Sequence, residues 1–332
     1  MNHLKSKILI SALFSGLALT TYADINVVAS VKPVHSLVSG VMEGAGKPDL
    51  IVQGSASPHT YSLKPSQAKQ LEEADLVFWM GHELESFLEK PLEAIATSAH
   101  VVELIDSSSL KKIKMREGGM FDAHAHDEHE GHDDHDEHEG HDDHDEHEGH
   151  DDHHDHGHGE FDIHVWLDPE NAKVLVNEIK LALIEKDPSN ASIYEANSKK
   201  INLKLDQLIN EVSSKLESEK GKGYVVFHDA YQYFEERFGM SAVGSITVSP
   251  EVVPGANRIR ELKEKIVDLN ATCVFSEPQF EPKLVSTVIE GTQANTGVLD
   301  PLGASIKDGT ELYFTLIRNM ANSLQDCLSK KS

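Results

Sequence analysis

The stretch YVVFHDAYQYFEERFG (224–239) carries the fold in miniature. Tyr224, Val225, Val226 and Phe227 form a short run of β-branched and aromatic residues with no polar face, which is how a strand covered on both sides reads. His228 closes the run. From Tyr231 to Phe238 the residues read as a helix, and Gly239 stops it. A strand that passes directly into a helix is half of a βαβ unit, whose strands run parallel.

The same alternation extends in both directions. Toward the C-terminus, strands at 240–246, 273–276 and 296–299 alternate with helices over 255–269, 281–291 and 308–328. Toward the N-terminus, strands at 25–30, 76–79 and 100–104 alternate with a helix opened by Pro33 and helices over 65–73 and 85–98. Between the two halves, Asp168-Pro169 gives an N-cap followed by proline at the first helical position, so a helix runs to about Lys186. Asp187-Pro188 repeats that start signal, and Ile201, Leu205, Leu208, Ile209, Val212 and Leu216 keep helical spacing until Gly221 and Gly223. The expected fold class is α/β: two lobes, each a mainly parallel sheet flanked by helices, joined by long helix, with a ligand cleft between them.

The chain has 332 residues, enough for two domains. Its formal charge is −26, which repels phosphates and argues against a nucleic-acid partner. Two cysteines exclude a Cys-rich zinc finger and an iron–sulfur protein. Much of the charge sits in one place. Residues 122–158 hold 17 Asp/Glu, 14 His and no Lys or Arg, and HDEHEGHDD occurs three times in succession from His126 to Asp152. No apolar residue interrupts the repeats, so residues 118–159 are expected to be a disordered surface loop. Outside that loop and the leader, 28 basic residues face 39 acidic ones, a charge of −11 typical of a mildly acidic globular protein.

Lys5 and Lys7 precede an apolar run over 8–19, and Thr21-Tyr22-Ala23 places small residues at −3 and −1. This is a secretory signal peptide with cleavage expected after Ala23, too short to span a bilayer. The expected boundaries are therefore signal peptide 1–23, N-terminal α/β lobe 24–160 including the loop 118–159, connecting helices 161–220, and C-terminal α/β lobe 221–332. In an exported, oxidising compartment Cys273 and Cys327 can pair.

Six histidines remain outside the leader and the insert, and three stand where α/β folds place ligand groups. His59 lies in a turn, SPHTY (57–61), just before a helix. His164 lies in DIHVWLD (162–168), entering a capped helix. His228 ends a strand. His35 and His82, each after a strand, are weaker candidates, and His100 reads as structural. Three neutral imidazoles suit zinc, which takes four ligands and favours nitrogen and sulfur. Asp300, after the strand at 296–299, offers a carboxylate for the fourth place, as does water.

The chain resembles the periplasmic solute-binding proteins of zinc-type ABC transporters, the ZnuA group. SPHTYSLKPSQAK (57–69), DLVFWMG (75–81), DIHVWLDPEN (162–171), DPSNASIYEAN (187–197), VFHDAYQYFEERFG (226–239), FSEPQF (275–280) and LDPLG (299–303) carry the likeness in the expected order. The resemblance implies metal in the interlobe cleft and carries the ligand role onto His59, His164 and His228. Manganese-type relatives usually present a carboxylate where His228 stands, so a third imidazole argues for zinc. Some members have glutamate immediately before the first ligand histidine where this chain has Pro58, which leaves water, Asp300 or an insert histidine for the fourth position. Cys273 and Cys327 match a disulfide of some members.

The implied function is high-affinity capture of periplasmic zinc, the transported ligand Zn2+, by a monomer that delivers it to an ABC permease membrane subunit. The insert histidines (His124, His126, His129, His132, His135, His138, His141, His144, His147, His150, His153, His154, His156 and His158) are expected to be weak auxiliary ligands that collect metal. A manganese- or iron-type binding protein and a zinc buffer without a permease are the alternatives. A zinc hydrolase, the enzyme reading, lacks HExxH and GxSxG motifs, so no enzymatic activity is expected.

Overall fold

The computed structural model describes residues 25–116, 121, 160–247, 255–268, 271–281 and 283–330. The leader 1–23, and the insert 118–159 except Phe121, lie outside the described residues, and with them the fourteen insert histidines.

The first sheet takes β1 (Val27–Ala29), β2 (Asp49–Leu50), β3 (Leu76–Trp79) and β4 (His100–Glu103) in the order β2-β1-β3-β4, all parallel. Helices α1 (Lys32–Val41), α2 (Pro65–Glu72) and α3 (Ser86–Ala94) make its crossovers. The second sheet takes β5 (Tyr224–Val226), β6 (Gly244–Ser245), β7 (Cys273–Ser276) and β8 (Asn295–Val298) in the order β6-β5-β7-β8, again all parallel. Its helices are α6 (Gln232–Phe238), α7 (Ala256–Asp268), α8 (Lys283–Ile289) and α9 (Leu312–Leu328). Here α4 (Pro169–Lys186) and α5 (Ala191–Leu216) run between the sheets. With 26 residues, α5 is about 39 Å long.

Local chemistry sets the helix ends. The Asp168 side chain accepts from Glu170 N–H at the start of α4, and Pro169 follows with its fixed φ. Gly239, at φ 70°, gives α6 its left-handed terminus, with its N–H on the Glu235 carbonyl.

Several elements are shorter than the sequence predicts. The strand expected at 240–246 pairs only at Gly244–Ser245. The last helix, expected from 308, begins at Leu312, because Gly309 at φ 133° turns the chain first. The helix expected over 85–98 ends at Ala94. Strand β2, only two residues long and directly after Pro48, had no pattern to announce it.

The main core does not stop at a lobe boundary. Val28, Val38 and Phe78 from the first half belong to the same buried cluster as Leu175, Leu205, Phe275, Tyr313 and Ile317. Helix α5 lies against α1, α4 and α9, so it joins both sheets to one interior. The outer face of the second sheet has its own smaller core, where Val225, Phe227, Ile246 and Val274 meet Leu262, Ile266, Val285 and Val288. Cys273 and Cys327 form a disulfide that ties β7 to α9, with Cα atoms 6.1 Å apart. Among the described residues no helix is long and apolar enough to cross a membrane.

Candidate metal centre

Three chain segments meet in the crevice between the sheets. His59 sits in a 3-10 turn, Pro58–Thr60, beyond the end of β2. Gln67 of α2 ties that turn down, donating from Nε2 to the Ile51 carbonyl (2.6 Å) and to the Tyr61 hydroxyl (2.8 Å). His164 immediately precedes the 3-10 turn Val165–Leu167 that leads into α4. Neighbouring Trp166 donates from Nε1 to the Pro301 carbonyl (2.9 Å), and Tyr313 donates its hydroxyl to the Trp166 carbonyl (2.6 Å), so this segment is locked to the second lobe. His228 lies two residues past β5, at the carboxyl end of a parallel strand.

One nitrogen from each of His59, His164 and His228 lies within 4.8 Å of the others. Ring centroids are 5.8 Å apart for His59–His164 and His59–His228, and 5.3 Å for His164–His228. His164 and His228 are buried, and His59 is half-buried. A tetrahedral ion bound at about 2.1 Å suits three such nitrogens brought slightly together.

Two buried carboxylates stand behind the imidazoles. Asp162 Oδ1 is 2.7 Å from His164 Nδ1 and also accepts the His164 backbone N–H at 2.9 Å. Glu277 Oε1 is 2.7 Å from His228 Nδ1. Strand register explains the second pair. Tyr224 is paired with Cys273 and Val225 with Val274, so the same register carried past the strand ends sets His228 opposite Glu277. With Nδ1 engaged by a carboxylate, each ring is left to offer Nε2. His228 Nε2 is buried with no hydrogen-bond partner among the described residues, as a waiting ligand atom would be.

Burial sets the protonation states. Burial, then the neighbouring His164 and His228, pulls His59 down to about 2. Burial, then His228, pulls His164 down to about 3. Burial also pulls on His228, but Glu277, with Asp229 and Asp162, outweighs it, and the net shift is upward. Burial raises Asp162 to about 7. Three imidazoles, two held neutral by burial and two backed by carboxylates, suit a divalent cation of borderline softness.

The small cavity between the rings is walled by Leu84, Trp166, Phe280 and Leu302.

The other sequence candidates stand elsewhere. Asp300 is not brought into the cluster. Its Oδ1 accepts from Gln279 Nε2 (2.9 Å), Leu302 N–H (3.1 Å) and Gly303 N–H (2.9 Å), and its Oδ2 from Ala304 N–H (2.6 Å). A carboxylate so fully engaged is a loop cap. His35 is buried in α1 with Nε2 3.1 Å from the Pro48 carbonyl. His82 faces Glu89, with Nδ1 3.0 Å from the carboxylate. His100 opens β4. Asp162, Glu277 and Gln279 were not singled out as site residues. The signal for the first was an acid two residues before a candidate histidine, and for the second an acid directly past a strand paired with the histidine's own.

The insert is rooted beside this centre. Met115 N–H donates to the Glu160 carbonyl (3.1 Å) and Asp162 N–H to the Ile113 carbonyl (2.8 Å), around an antiparallel bridge between Lys114 and Phe161. Arg116 reaches across to Asp229 and to Glu235 (2.8 Å) in the second lobe, and its guanidinium lies 3.9 Å from the centre of the Phe121 ring.

Comparison with known proteins places this geometry. Residues 27–327 match the family described as ZnuA, zinc-uptake complex component A, periplasmic. The high-affinity zinc uptake system protein ZnuA of Brucella suis is 56% identical over 334 residues, covering 99% of this chain and all of that protein. Its namesake from Yersinia pestis is 36% identical over 306 residues, 92% of each chain. The structure of the periplasmic zinc-binding protein TroA from Treponema pallidum shares the fold, with a TM-score of 0.72 at 18% identity over 93% of this chain and all of that one.

Proposed function

This chain belongs to the ZnuA family of periplasmic zinc-uptake components, and we propose that it captures the ion through His59, His164 and His228, each offering a neutral imidazole nitrogen. Zinc capture in the periplasm for an uptake system is the function of the chain. The observation that carries the ligand assignment is the convergence of three imidazole nitrogens within 4.8 Å, lining one small cavity. An all-imidazole set favours zinc over manganese, which prefers oxygen donors. Burial keeps two of the rings neutral, so they need not lose a proton to bind.

Zinc is cargo here, and the chain binds without catalysing. The reading extends to a monomer that passes the ion to the membrane subunit of an ABC permease after removal of a leader at Ala23. The insert is a weaker collector, and the pairing of its two ends beside Asp162 supports a short path from collector to cleft.

Calorimetry on two variants tests the assignment. Deleting residues 122–158 lowers the number of zinc ions bound and leaves one tight site that rejects manganese. His59→Ala keeps the weak sites and loses the tight one. If the deletion abolishes the tight site, or manganese competes equally with zinc there, the three-histidine assignment is wrong.

A further inference from the structure

The loop after β7 contains a polar group that the three histidines do not use. Gln279 lines the same cavity as the three imidazoles, and its Oε1 is buried without a hydrogen-bond partner among the described residues. A buried carbonyl oxygen left unpaired is costly, so such an atom in a close-packed place calls for a donor.

The orientation of this amide is dictated by its other end. Gln279 Nε2 donates to Asp300 Oδ1 at 2.9 Å, an oxygen that also accepts the N–H groups of Leu302 and Gly303, so the nitrogen faces Asp300 and Oε1 is the end left without a partner among the described residues. Asp300 is itself held by the N–H groups of Leu302, Gly303 and Ala304. The loop carrying Gln279 is equally fixed. Phe280 stacks on Phe227 with ring centroids 4.7 Å apart and planes 9° from parallel, and its N–H closes a turn on the Glu277 carbonyl at 3.3 Å.

We propose that Gln279 is a positioning residue for the captured ion: its Oε1 accepts a hydrogen bond from the water that completes the zinc coordination, and Asp300 holds the amide in that orientation. This rests on the three-histidine reading above. A neutral amide oxygen is a hard donor better suited to calcium or magnesium than to zinc, whereas water is an ordinary fourth ligand of a three-histidine zinc site. Asp300 thus acts on the ion at one remove, through Gln279. The same lone pair that welcomes a water proton repels an anion, so Gln279 also discourages anions from taking the fourth position.

The test uses the full chain loaded with one equivalent of cobalt(II) or zinc, so that the tightest site fills first. Gln279→Leu, with Gln279→Met as a second variant of similar bulk, keeps all three imidazoles and the visible bands of four-coordinate cobalt. Zinc release becomes about tenfold faster. Thiocyanate binding at the cobalt ion tightens about tenfold, a change that mere loosening of the loop would not produce. An unchanged release rate in both variants, or unchanged thiocyanate affinity, overturns the proposal. So does an Asp300→Asn variant that bleaches the cobalt bands as fully as His59→Ala, since Asp300 would then be a ligand. If His59→Ala itself leaves the bands intact, the three-histidine reading falls and this inference with it. If His59→Ala bleaches them and the Gln279 variants match the unmodified protein, only the role of Gln279 is lost.

Discussion

The two sheets share one strand order and use it differently. In the second lobe, His228 follows the central strand β5 and Glu277 follows its neighbour β7, and the two side chains meet at 2.7 Å. In the first lobe the corresponding strands are β1 and β3. The nearby carboxylate, Glu85, is spent on the backbone: its Oε2 accepts the N–H groups of Met80 (2.8 Å) and Gly81 (3.1 Å). The first lobe therefore offers its histidine from a turn beyond the edge strand β2, where His59 is half-buried. One topology supplies a fixed, carboxylate-backed histidine in one copy and a peripheral one in the other. Topology makes the crevice, and the residue at each strand end decides its chemistry.

This contrast can be broken at several levels. Replacing both Cys273 and Cys327 with serine removes a cross-link spanning 54 positions in the second lobe alone, worth about 4 kcal/mol in the chain-entropy picture. Because the main core runs through both lobes, denaturant melts should still show one transition at lower midpoint. An early separate transition of the second lobe would show that the lobes are energetically independent. Next in size, His228→Ala should lower zinc affinity by more than the ~100-fold that an outer carboxylate is worth, measured by chelator competition.

Glu277→Gln should cost roughly 10–100-fold in zinc affinity, because a neutral amide oxygen holds Nδ1–H on His228 more weakly than a carboxylate and no longer raises the basicity of the ring. Glu85→Gln keeps an oxygen for the two backbone N–H groups and should leave zinc affinity unchanged. Equal losses in both variants would mean that the lobes are not specialised as described. The smallest effect is with pH. His59 and His164 are held near 2 and 3, so they stay neutral in mild acid and do not compete with the ion. His228 is raised above its ordinary value of 6.5, so it is protonated first as pH falls. Zinc affinity should start to fall above pH 6.5 and drop about tenfold per unit below the raised pKa of His228, as one proton displaces the ion. Affinity that is flat down to pH 6 would contradict ligation by His228.

Much of this arrangement was legible in the chain. The strand run Leu76–Trp79 is apolar throughout and Cys273–Ser276 is apolar up to its last residue, and such runs have few alternatives in an α/β alternation. Asp168-Pro169 announced α4 because a cap and a fixed φ act locally. The three histidines could be separated from the rest because each stands at a strand end or an element junction. The carboxylates could not be matched to them, because pairing His228 with Glu277 needs the register of β5 against β7, a relation across 49 positions that no local pattern encodes. The engagement of Asp300 was hidden for a similar reason. Its acceptors are filled partly by backbone N–H groups, and every residue but proline has one of those. A two-residue strand such as β2 is too short for alternation to register.

The bridge between Lys114 and Phe161 has a consequence for how this protein can change over generations. The chain leaves the body at Met115 and re-enters at Glu160, two points joined by a backbone hydrogen bond of 3.1 Å. Whatever number of HDEHEGHDD units is strung between them, the exit and the return stay where they are, and Asp162 still reaches His164. Repeated codons are prone to gain and lose copies, and here such slippage alters only the capacity of an appendage. The sequence between those two points is free to lengthen or shorten like a line on a fixed cleat, while the crevice beside them keeps its geometry.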